Sequence, residues 1–195
     1  MAAGRPRAFN VDEALDRAMQ VFWRKGYEGA SLSDLTKAMG ISPPSLYAAF
    51  GNKERLFCEA LERYTHGPAR YVREALEAPT VGDVVGRLLL GTANLLADPR
   101  NPPGCLLVQG ALSCSDAADP MRRELISRRA AGEAAMRQRF ERAKAEGDLS
   151  ADVHPAELAR YVAAVIYGMA VLAAGGASRE DLQRVAEAAS RACPS

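Results

Sequence analysis

Residues 31–50, SLSDLTKAMGISPPSLYAAF, leave the backbone little freedom, because helix starts and a helix stop follow one another at short, fixed spacing. Ser31 with Asp34 three positions on is a capping-box pattern, in which a hydroxyl and a carboxylate satisfy N–H groups that a helix start leaves open. Leu32, Leu35, Ala38 and Met39 then fall on one side, and Gly40 stops the run. Ser42 followed by Pro43 opens another helix, since proline at the first helical position gives up an N–H that had no partner there. The spacing predicts two short helices, the first of about two turns, joined by a tight turn at Gly40 and Ile41. Leu35, Ile41 and Leu46 lock them at a steep angle, with Leu46 and Phe50 facing inward and Pro44, Ser45, Tyr47 and Ala48 facing out. This is helix-turn-helix geometry, in which the outer face of the second helix enters a DNA major groove.

The rest of the chain is punctuated in the same way, with no competing strand pattern, so the fold class is all-α. Asn10 with Glu13 caps a first helix carrying Val11, Ala14, Leu15, Ala18 and Phe22 up to Gly26, and Asn52 caps a fourth carrying Leu56, Phe57, Ala60, Leu61 and Tyr64. The segment His66, Gly67, Pro68 interrupts it, which divides the chain into a three-helix helix-turn-helix DNA-binding domain, residues 1–66, and a larger helical domain, residues 67–195. In the second domain Thr80 with Asp83 opens an apolar helix that ends before the proline-rich stretch 98–104. A short apolar helix at 105–113 follows, then a long arginine-rich one from Asp119 and Pro120 to about Gly147, with Leu125, Ile126, Met136 and Phe140 inward. Pro155 and Ser178 begin the last two helices.

Bulk properties exclude several classes. An apolar fraction of 48% with 25% charged residues is that of a folded soluble domain rather than a disordered chain. Residues 1–7 lack the apolar core of a signal peptide, and the apolar stretches are broken by charge and glycine, so a cytoplasmic protein without membrane contact is expected. Cys58, Cys105, Cys114 and Cys193 show no zinc spacing, and no metal or cofactor is expected. Although the net charge is only +1, cations fall where phosphates would lie. Lys53 stands at the start of the fourth helix, where charge and helix dipole act together, and Arg5 and Arg7 lie on an arm able to reach a minor groove.

The first third of the chain resembles the DNA-binding domain of the tetracycline-repressor-like family of bacterial regulators. The resemblance rests on Ala18, Phe22, Gly26, Tyr27 and Ser31, then Leu35, Ala38, Gly40, Ile41 and Ser42, and then Leu46, Tyr47, Phe50, Lys53, Glu54 and Leu56. One departure is the pair Ala48 and Ala49, where many relatives carry larger aromatic or polar residues. The family implies a homodimer joined by its last two helices, a near-palindromic operator, and a small-molecule effector that changes the distance between recognition helices. It implies a transcriptional repressor rather than an enzyme. DNA contacts fall on Arg5, Arg7, Ser31, Ser42, Pro44, Ser45, Tyr47, Ala48, Asn52 and Lys53, with the Tyr47 hydroxyl on a phosphate.

For the dimer, the apolar stripe of the last two helices offers Leu158, Val162, Val165, Met169, Leu172, Leu182, Val185 and Ala189, with an intrachain core as the alternative. Candidate effector contacts are Leu88, Leu89, Leu95, Leu107, Phe140 and Tyr167. The arginines of the long helix, among them Arg122, Arg123, Arg128, Arg129, Arg137, Arg139 and Arg142, read as a solvated face, or else as holders of an anionic effector. Cys105, at a helix start where the dipole favours a thiolate, gives the alternative function, a thiol-based redox-sensing regulator or a helical thiol protein.

Overall fold

A computed structural model describes residues 9–112 and 118–193, which form ten helices. The N-terminal group is α1 (Val11–Gly29), α2 (Leu32–Met39), α3 (Pro43–Phe50) and α4 (Lys53–His66). The remainder is α5 (Tyr71–Leu76), α6 (Val81–Leu96), α7 (Leu106–Leu112), α8 (Asp119–Glu146), α9 (Pro155–Ala174) and α10 (Arg179–Ala192). Side-chain caps stand where the sequence placed them: Asn10, Ser31, Ser42, Asn52, Thr80 and Ser178 each accept a backbone N–H of the first turn.

Two local features depart from the sequence reading. α1 does not end at Gly26. That residue takes φ 69°, breaks the helix for one position, and lets it resume to Gly29 so that Tyr27 packs between Phe22 and Phe57. The six-residue α5 is additional, and its N-cap, Arg70, supplies no side-chain bond.

Two apolar clusters hold the chain. One gathers Phe22, Leu35, Leu46, Phe50, Leu56, Phe57 and Leu61 from α1–α4, and it also takes in Leu106, Ala118 and Leu125 from beyond residue 67. The other packs Leu88, Leu89, Phe140, Val162, Met169 and Leu182 from α6, α8, α9 and α10. The cut after His66 therefore separates helices more cleanly than it separates cores. Ile126, expected inward, is 42% exposed, because Leu125 takes the buried position on that turn of α8.

The last two helices correct the proposed dimer set. Leu158, Val162, Met169, Leu182 and Ala189 are buried in the subunit's own core, since α10 lays its apolar stripe on α6 and α9 packs against α6 and α8. Val165 and Val185 are half-buried, and Leu172 is exposed. A different face of α9, made by Tyr161, Ala164, Gly168, Val171 and Leu172, is left open. By length and mean hydropathy of 1.5, α9 does pass the test for a membrane-crossing helix, contrary to the expectation that charge breaks it too soon. Its inward side is nevertheless occupied by its neighbours in the fold.

Candidate nucleic-acid interface

The helix-turn-helix is fixed by bonds local to it. The Ser31 hydroxyl accepts the Asp34 N–H at 3.0 Å and donates to the Asp34 carboxylate at 2.7 Å, while Ser31 N–H donates back to the same oxygen at 3.1 Å. Lys25 Nζ lies 2.7 Å from the other Asp34 oxygen. Lys25, and then Ser31, hold the Asp34 carboxyl down at about 2. Gly40 closes α2 at φ 70°, a left-handed cap that a side chain would strain.

From that turn α3 projects outward. Leu46 and Phe50 are fully buried, so the opposite side of the helix must face solvent, and it does so through Pro44, Tyr47 and Ala48. Tyr47 is 46% exposed, which leaves its hydroxyl free to meet a phosphate or base edge. Ser42 and Ser45 share a hydroxyl–hydroxyl bond of 2.9 Å at the N-terminus of α3. Asn52 accepts the Arg55 N–H at 2.7 Å, so its oxygen serves the cap of α4.

Lys53 is less free than its sequence position suggests. Its ammonium lies 4.5 Å from the centre of the Tyr27 ring, and burial lowers its pKa against the opposing pull of Glu54 and Glu28. Tyr27 in turn donates to Glu54 at 2.9 Å, which ties the end of α1 to the start of α4. Ser31, Ser42, Ser45, Asn52 and Lys53 are thus positioned on successive helix starts, around the exposed Pro44, Tyr47 and Ala48. Arg5, Arg7 and Cys114 lie outside the described residues.

The unit is wired to the rest of the chain through one buried corner. Trp23 of α1 donates its indole N–H to the Gly104 carbonyl at 2.9 Å and meets the Tyr64 ring edge-on at 4.7 Å. The buried Tyr64 hydroxyl donates to Cys105 Sγ at 3.3 Å, and burial raises its pKa well above the usual phenol value. Arg128 of α8 adds a bridge to Glu62 of α4 at 2.8 Å.

Behind this corner lies an almost wholly apolar cavity of about 110 Å³. Leu88, Leu107 and Tyr167 line it as candidates from the sequence, together with Tyr64, Tyr71, Cys105, Arg129 and Met136, which sequence periodicity did not single out for it. Leu89 and Phe140 are buried in the neighbouring core instead, and Leu95 borders a separate polar groove beside Gln20 and Asn94. Tyr64 was legible as a buried residue of α4 but not as a cavity wall, and Tyr71 carried no signal, because nothing local to α4 or α5 shows what the packing of α6 and α8 will leave unfilled.

Comparison with known proteins agrees with this geometry. The pattern described as bacterial regulatory proteins of the tetR family matches residues 14–60, and that described as a tetracyclin repressor-like C-terminal domain matches residues 86–189. The chain is 34% identical to the HTH-type transcriptional repressor ComR of Escherichia coli K12 over 193 residues, which cover 98% of this chain and 92% of that protein. Among solved structures it is similar to a cysteine-substituted form of the regulator CifR complexed with 26-base-pair operator DNA. That likeness has 46% identity and a TM-score of 0.93, covering 98% of this chain and all of the other. A putative regulator from Rhodococcus sp. RHA1 is 40% identical, with a TM-score of 0.61, over 95% of this chain and all of the other.

Proposed function

The chain belongs to the tetracycline-repressor family of bacterial regulators and is a DNA-binding transcriptional regulator; on that premise we propose how it works. Two subunits pair through their C-terminal helices, present α3 of each to successive major grooves of a near-palindromic operator, and repress. A small molecule in the cavity behind Tyr64 then selects a conformation in which the α3 helices no longer match the half-sites. The observation that carries this reading is α3 itself: capped by Ser42, anchored by the buried Leu46 and Phe50, and exposing Pro44, Tyr47 and Ala48 together.

A two-fold dimer reads half-sites roughly 34–36 Å apart, or a multiple of that. Selection of bound fragments from random DNA at two salt concentrations tests the reading. A near-palindromic site with steep salt dependence is the expected result, and salt-sensitive binding without sequence preference would sink it. In the same assay Tyr47→Phe and Lys53→Ala are expected to weaken binding on all sequences alike, as loss of a phosphate contact does.

A thiol-sensing reading has one observation in its favour, the Cys105 sulfur in the cavity wall with the Tyr64 hydroxyl donating to it. Under the repressor reading Cys105→Ser keeps operator binding and its release by small molecules. Release by peroxide that disappears in this variant would favour the thiol instead.

A further inference from the structure

Arg129 is the arginine of α8 whose surroundings are least satisfied. Arg122 and Arg123 pair with Asp119, Arg128 with Glu62 and Glu124, Arg137 with Glu141, Arg142 with Glu146, and Arg139 with backbone carbonyls. Among the described residues Arg129 has no carboxylate within ion-pair distance; its guanidinium lies 5.5 Å from the centre of the Tyr167 ring. The partner expected from helical spacing, Glu133 one turn on, is taken by Arg160 at 3.0 Å.

That unpaired cation borders the apolar cavity, together with Gly132. A Cβ placed on Gly132 would meet nothing within 4 Å, so the cavity wall is open there, beside Arg129. The volume of about 110 Å³ limits the guest, since a cavity of roughly 150 Å³ accommodates benzene. Tyr64, Tyr71 and Tyr167 supply apolar ring surface that suits a compact body smaller than a benzene ring.

We propose that this cavity takes a small monocarboxylate, whose compact apolar body fills the space between Tyr64, Tyr71, Leu107 and Met136 while its carboxylate pairs with Arg129 at the opening. The inference rests on the effector reading above and names the ligand class. A guanidinium is a planar fork that meets a carboxylate with two parallel bonds, and stacking on Tyr167 holds that fork in place before the ligand arrives. Glu133, which also lines the cavity and is paired with Arg160, adds a negative charge there, so a dicarboxylate is expected to bind less well than a monocarboxylate. An ammonium in place of the carboxylate is repelled by Arg129.

The test uses the full chain and its selected operator fragment, with isobutyrate as the probe and isobutanol, isobutylamine and methylmalonate as its counterparts. Trp23, the single tryptophan, touches Tyr64 of the cavity wall, so its emission reads occupancy, with titration calorimetry as a second readout. Isobutyrate is expected to bind saturably, about tenfold or more tighter than isobutanol, and to release operator DNA. Arg129→Gln removes that advantage, whereas Arg123→Gln, on the solvated side, keeps it. Equal affinity for isobutyrate and isobutanol in the unaltered protein overturns the proposal, even where Arg129→Gln fails to fold. Protein that selects an operator but ignores isobutyrate refutes this ligand class alone; protein that selects no operator refutes the regulator reading itself.

Discussion

Arg139 is 6% exposed and donates to the carbonyls of Leu76, Ala78 and Pro79 at 3.2, 2.8 and 3.0 Å, closing the turn between α5 and α6 onto α8. The sequence reading placed it on a solvated face with the other arginines of α8, and the structure corrects this. Nothing within α8 shows that the turn at 76–79 will arrive with its carbonyls unsatisfied. Arg139→Met keeps much of the apolar stem but strands those carbonyls, with an expected cost of about 2–4 kcal/mol in urea unfolding. Its Nη1 is buried without a hydrogen-bond partner among the described residues, which argues for the lower half of that range. A loss no greater than that of the exposed Arg137→Met would show that the carbonyls find other donors. Residues whose roles are set within one helix were legible, as Leu46, Phe50 and the outward Tyr47 show. Those set by a distant segment, such as Arg139 and Tyr71, were not.

At the scale of elements, the start of α2 holds the helix-turn-helix in register through charge, and so its stability responds to acid. Asp34 is held at about 2 against an ordinary 3.8, so its contribution is fully present above the ordinary value and is lost as pH falls from there toward 2. Hydrogen exchange of the α2 and α3 amides, followed across that window, is expected to speed up more than exchange in α9. Asp34→Asn is expected to flatten this pH dependence while exchange at neutral pH becomes faster, because Lys25 and Ser31 lose a charged acceptor. An unaltered pH profile in the variant would assign the acid response to other carboxylates. Caps of this kind made six of the ten helices readable in advance, since Asn10, Ser31, Ser42, Asn52, Thr80 and Ser178 act within three residues of their own position, while α8 and α9 were announced by Pro120 and Pro155 at their starts and α7 by its apolar run. α5, which the sequence reading did not give, has six residues and no side-chain cap, and it is held by packing instead. Tyr71 at its start bonds Thr92 of α6 at 2.9 Å and lies against Gly91, where an added Cβ would fall 2.3 Å from the ring.

At the scale of the molecule, α9 shows why an apolar helix could be anticipated as an element while the residues of its buried side and of its open face could not. The helix is apolar around most of its circumference, and a period of 3.6 cannot divide such a surface into a side for its own core and a side for a partner. Packing against α6 and α8 settles the division by burying Leu158, Val162 and Met169. Val171 and Leu172 remain 53% and 47% exposed, on a face shared with Tyr161, Ala164 and Gly168. Small residues at 164 and 168 allow a second helix to approach closely, as a two-fold contact between copies of α9 requires. Leu172→Glu places a charge on that face without touching the core. It is expected to shift sedimentation from dimer to monomer, to abolish tight operator binding, and to leave the subunit's helix content unchanged. Met169→Ala separates the two roles, because its side chain is fully buried within the subunit. Truncating it is expected to cost about 2–5 kcal/mol of fold stability while the folded fraction still dimerises. If Leu172→Glu remained dimeric with operator affinity intact, the two-fold contact would have to lie elsewhere, and the spacing of the α3 helices would then be set by a different surface.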